Sequence, residues 1–135
     1  MANALYDQAR EDFLAGNLDW DGATIKLVFV DEADDTIDLA VDDNLDDRAA
    51  ASRVATSGAF TAKTATDGVA DAADVTVTAV SGDQFESLDI YEDTGVESTS
   101  SLIANIDTAT GLPFTPSGSD ITVVWDNGAN RIFKL

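Results

Sequence analysis

What most constrains this chain is its punctuation: short apolar or β-branched stretches recur at roughly ten-residue spacing, each ended by Gly, Pro or Asp. Thr24 to Val30 (TIKLVFV) puts Ile25, Leu27 and Phe29 on one face and Val28 and Val30 on the other, the pattern of a strand covered on both sides. Ser52 to Thr56 and Phe60 to Thr66 read as short strands around Ser57-Gly58. Val75, Val77 and Ala79 alternate with Thr76 and Thr78. Leu88 and Ile90 alternate with Asp89 and Tyr91, and Leu102, Ala104 and Ile106 form a further run. Ile121 to Trp125, Asp126-Asn127-Gly128 and Arg131 to Leu135 read as a closing β-hairpin that leaves no tail behind it. No parallel βαβ repeat is present. The expectation is a mainly β fold, an antiparallel β-sandwich or small, jelly-roll-like β-barrel with one N-terminal α-helix.

That helix is predicted from Ala4 to Ala15, with Asn3 as N-cap and Gly16-Asn17 as its stop. Leu5, Ala9 and Phe13 share one face with Tyr6 and Leu14 beside it, while Asp7, Arg10, Glu11 and Asp12 stay wet. Such a face either lids the sheet or packs on a neighbouring subunit. Asp31 to Asp47 (DEADDTIDLAVDDNLDD) is acidic apart from Ile37, Leu39 and Val41, and most of it is expected as an exposed loop. The division is one domain, 1–135: an arm at 1–16, a β body at 22–135, and an acidic loop at 31–47.

Several functions are excluded by composition. The chain has no Cys and no His, which removes Ser-His-Asp and Cys-His catalysis, disulfides and the common zinc sites. With 26 acidic against 7 basic residues the formal net charge is −19, so binding nucleic acid through its phosphates is not expected. An acidic coat that maintains solubility accounts for the charge; mimicry of nucleic acid is the alternative. No basic leader and no membrane-length apolar run occurs, so a soluble protein made in the host cytoplasm is expected.

Chemistry-bearing candidates are sparse. Asn17-x-Asp19-x-Asp21-Gly22 has the spacing of the first half of a calcium loop, but Val28 stands where the bidentate Glu belongs. A cation held by Asn17, Asp19 and Asp21 with help from the acidic loop is the weak metal candidate. Glu86, between Phe85 and Ser87, is the one carboxylate with apolar shielding, and no catalytic role is assigned to it. Trp20, Trp125, Tyr91 and Phe114 line either a sugar platform or a core. No cofactor motif is present, and the chain is not expected to be an enzyme.

MANALYDQAREDFLAG, RVATSGAFTAKTATDGVADAADVTVTAVSGD and IDTATGLPFTPSGSDITVVWDNGANRIFKL together resemble a small structural protein of tailed bacteriophages. The resemblance covers most of the chain outside Asp31 to Asp47. It implies a virion component, and among virion roles a head decoration or cement protein, often a trimer, bound to the major capsid protein. Leu5, Tyr6 and Phe13, or sheet edges near the C-terminus, are the expected contacts. The alternative is a tail, neck or fibre adaptor or a carbohydrate-binding module.

Overall fold

The computed structural model describes residues 3–135. Along the chain run β1 (Ala4–Leu5), α1 (Asp7–Ala15), β2 (Ile25–Val30), β3 (Arg53–Thr56), β4 (Val69–Ala70), β5 (Val75–Val77), β6 (Ser87–Glu92), β7 (Leu102–Ile106), β8 (Ile121–Val123) and β9 (Phe133–Lys134). Five of these form one antiparallel sheet in the order β1-β7-β6-β2-β3. The others pair as two short antiparallel ribbons, β4-β9 and β5-β8. The fold is therefore mainly antiparallel β with one helix, and its main sheet is open rather than closed into a barrel.

Register separates the two faces of that sheet. Leu27, Ile90 and Ala104 are cross-strand partners, as are Phe29, Leu88 and Ile106, and they build an apolar face. On the other face Val28, Asp89 and Asn105 stand side by side, next to Val30 and Ser87. Both faces are covered: every residue of β2 except Lys26 is buried, as its β-branched run predicts. Each buried Leu, Ile, Val or Phe stabilises by about 1.5–3 kcal/mol. Phe85 stacks on Phe29 at 4.2 Å over the apolar face, and Phe60 joins Trp20, which it meets edge-on, to Trp125, against which it is tilted at 52°.

Two local expectations are corrected. The helix begins at Asp7, and Ala4–Leu5 instead pairs with β7 as an edge strand, Ala4 opposite Asn105 and Leu5 opposite Ala104. Asn3 explains the difference. Its Oδ1 accepts hydrogen bonds from the Asp107 and Thr108 amides and its Nδ2 donates to the Thr108 carbonyl, fastening the segment along the sheet. The helix stop is as expected: Gly16 is left-handed at φ +77°.

The C-terminal segments do not form a hairpin with each other. β8 pairs with β5, and β9 pairs with β4. Anchors distant in sequence outweigh the local turn. The Trp125 amide donates to Asp74 Oδ1 and its indole N–H to the Ala73 carbonyl, holding the end of β8 beside β5. Phe133 packs on Trp20 at 5.3 Å and on Phe13 at 6.0 Å.

Candidate functional site

Arg48 is fully buried, as is its partner Asp89. It follows the 3₁₀ turn Leu45–Asp47, which a reciprocal cap between Asn44 and Asp47 starts. All of its guanidinium nitrogens are used. Nε donates to Asp89 Oδ2 at 3.0 Å, Nη1 to Asp35 Oδ2 at 3.1 Å and the Thr36 carbonyl at 3.5 Å, and Nη2 to Asp42 Oδ2 at 2.8 Å and the Tyr6 hydroxyl at 3.1 Å. The Tyr6 hydroxyl passes its own hydrogen to Asp89 Oδ1 at 2.6 Å, and Asn105 Nδ2 donates to the same oxygen at 2.9 Å.

These contacts decide the protonation states. Burial raises the Tyr6 pKa, reinforced by the neighbouring Asp89 carboxylate, so its hydroxyl stays neutral and donates. Burial opposes the Arg48 charge, but Asp89 and the surrounding acceptors outweigh it and raise the guanidinium pKa. Burial outweighs the pull of Arg48, Tyr6 and Asn105 and leaves the Asp89 carboxyl pKa raised. With donors on both of its oxygens, Asp89 is placed to be a carboxylate. Asn105 Oδ1 is the one buried side-chain polar atom without a partner among the described residues. Reversing this amide would turn its oxygen toward Asp89, so the observed orientation is the favourable one.

The acidic stretch consequently does not behave as a wholly solvated loop. Asp35 and Asp42 reach in to Arg48, and Ile37 and Leu45 are buried. Asp42 Oδ2 also accepts from the Asp38 amide, and Asp35 Oδ2 from the Ala49 amide. Charge pairing fastens the stretch over the polar face of the sheet, with Asp34, Asp38 and Asp46 left exposed.

The residues singled out from sequence fall in different places. Leu5 and Tyr6 are buried and offer a partner no surface; Phe13 is half-buried against Phe133. β1 and the Asp89 hydrogen bond draw Leu5 and Tyr6 inward, which leaves Phe13 the most exposed of the three. Leu14, expected beside the apolar face, is instead 91% exposed. Asp19 uses Oδ1 to accept the Asp21 and Gly22 amides, closing its own turn. Asn17 and Asp21 are exposed near it. Among the described residues the acidic oxygens that do converge, all within 4.8 Å, are those of Asp31, Asp34 and Asp83, and Asp31 already accepts the Ala33 amide. Glu86 Oε2 accepts the Glu32 amide at 2.8 Å. Trp20, Tyr91 and Trp125 are core residues rather than an exposed platform.

Sequence reasoning missed an apolar groove. Phe29, Phe85, Leu88 and Phe114 floor a cavity of about 440 Å³, walled on one side by 109–112 and on the other by Ile121 to Val124. Phe114 stacks on Phe85 at 5.6 Å, and the two exchange backbone hydrogen bonds of 2.9 and 3.0 Å. The groove gathers side chains from segments far apart in sequence, so no local pattern announces it. No helix among the described residues is long and apolar enough to cross a membrane. In comparisons with known proteins the chain matched no family model and no curated protein.

Proposed function

We propose that this chain is a structural protein of a tailed-phage virion, a decoration or cement protein that binds the major capsid protein on the outer head lattice and stabilises it. The observation that carries the reading beyond the resemblance is the apolar groove beside β8, on a body whose buried charges are spent on holding its own fold. A decoration protein needs no reacting group. It needs a rigid soluble body and one contact surface whose modest affinity is multiplied over many equivalent lattice sites. The two ribbons over the main sheet act as an abbreviated second layer of a sandwich-like body, and a trimer over capsid-subunit junctions is the assembly proposed.

Quantitative mass spectrometry of purified virions tests the reading. Copy numbers in the hundreds, relative to the major capsid subunit, place the chain on the head, because only the icosahedral shell repeats a site that often. Roughly three to a few dozen copies move it to the tail, neck or fibres, and absence from virions overturns the structural role.

A further inference from the structure

Strand β8 carries an open edge, and that edge borders the groove. Among the described residues β8 pairs only with β5. Neighbouring strand residues point to opposite faces, yet the consecutive residues Ile121, Thr122, Val123 and Val124 all line the groove. A strand lines a cavity with successive residues when it presents its edge. Thr122 confirms the geometry, because its hydroxyl is hydrogen-bonded to the Thr76 hydroxyl across the ribbon at 2.9 Å while the residue still borders the groove. The groove is therefore bounded by strand backbone and floored by Phe29, Phe85 and Phe114. Val124, at its rim, is 68% exposed.

Charge narrows the occupant. Asp126 follows Trp125 and lines the groove, whereas Asp120, before Ile121, accepts the Ala79 amide at 2.9 Å on the β5 side of the ribbon. Asp126 is the only charged residue lining the groove, and no Lys or Arg lines it. The molecule as a whole carries a formal charge of −19, which repels an acidic partner and draws a basic one.

We infer that the groove beside β8 takes an extended segment of a partner protein by strand addition: apolar side chains at alternate positions over the phenylalanine floor, and a Lys or Arg at the end facing Asp126. The incoming backbone pairs with the open β8 edge and converts the β5-β8 ribbon into three strands. Assigning that segment to the capsid subunit rests on the decoration reading; the chemistry of the groove stands without it.

The experiment has two arms. Calorimetry with the full chain uses the acetylated peptide KVTVTVK, which brings a lysine to Asp126 in either strand direction, and EVTVTVE as its charge-reversed control. Co-sedimentation uses phage heads lacking this protein. Val124→Lys and Asp126→Lys each weaken binding at least tenfold with an unchanged melting temperature, whereas Leu14→Lys on the helix binds as the unaltered chain does. Selective binding of KVTVTVK that both groove variants lose supports the inference even if heads are not bound, and that result overturns the decoration reading alone. Peptide binding that survives both groove variants overturns the inference, and head binding that survives them leaves decoration standing with its contact elsewhere on the body. Equal binding of both peptides, or of neither, also overturns it.

Discussion

Arg48 and Asp89 are separated by 41 positions in sequence and meet inside the protein, Nε to Oδ2 at 3.0 Å, with both side chains closed to solvent. The pair joins a loop residue to the central strand β6, and through Asp35 and Asp42 it draws the acidic stretch onto the sheet. A buried ion pair of this kind adds little net stability relative to an apolar substitute, but breaking it from one side strands a charge.

Arg48→Met should therefore cost about 3–5 kcal/mol in urea unfolding, since Asp89 keeps its burial and loses its cation. The double variant Arg48→Met with Asp89→Leu should be more stable than Arg48→Met alone. If the second substitution deepens the loss instead, Asp89 is held mainly by Tyr6 and Asn105 rather than by the guanidinium. Arg48→Lys should recover only part of the stability, because an ammonium cannot reproduce the forked set of contacts to Asp35, Asp42, Asp89 and Tyr6.

Alkaline pH should destabilise the protein through its buried tyrosines. Burial, then the nearby Asp93 charge, pushes the Tyr91 hydroxyl up to about 12, and burial with Asp89 raises Tyr6 as well. An unfolded tyrosine releases its proton near pH ~10, so above that point the native state holds protons the unfolded chain has lost. The contribution is complete below about pH 10 and declines as pH rises through the folded values. Unfolding midpoints measured from pH 8 to 11.5 should fall at the upper end, and Tyr6→Phe should flatten that fall.

The parts legible in the sequence are those fixed by local periodicity. The alternation from Ile25 to Val30 and from Leu102 to Ile106 located both strands, and Gly16 marked the helix stop, because each depends on neighbours a few residues away. Asp89 shows where periodicity ends. Its alternation with Leu88 and Ile90 correctly assigned it to the opposite face, but its burial depends on Arg48, Tyr6 and Asn105, which no spacing rule connects. The two terminal strands part company for the same reason, since Trp125 and Phe133 are placed by partners at Ala73, Asp74 and Trp20. The groove combines both kinds of distance and left no trace in any one segment.

Lys26 and Asp93 offer a probe at the acid end. Their ion pair is 2.6 Å long and partly exposed, and the Lys26 hydrogen bond, helped by the Gly95 amide, holds the Asp93 carboxyl below its ordinary range. The sign is opposite to that of the tyrosines: the contribution is present above pH ~3.9 and lost as pH falls through the lowered native value. Lys26→Met should raise the Asp93 carboxyl titration followed by NMR and cost no more than about 1 kcal/mol, as for partly exposed pairs. An unmoved titration would mean that the Gly95 amide alone holds the carboxylate.

Phe85 links the core to the groove, so its replacement separates packing from docking. Its ring is buried between Phe29 at 4.2 Å and Phe114 at 5.6 Å, at interplanar angles of 12° and 25°. Phe85→Ala removes the middle of that stack and should cost about 3–5 kcal/mol, whereas the half-buried Phe114 leaves less unfilled volume and its Ala variant should cost less. Phe85→Leu keeps most of the volume and should stay within about 1.5 kcal/mol of the unaltered chain in urea unfolding. Equal losses for Phe85→Ala and Phe114→Ala would mean that the groove wall collapses with its floor. The smaller loss expected at Phe114 instead makes it the position where the floor can be altered in a folded protein.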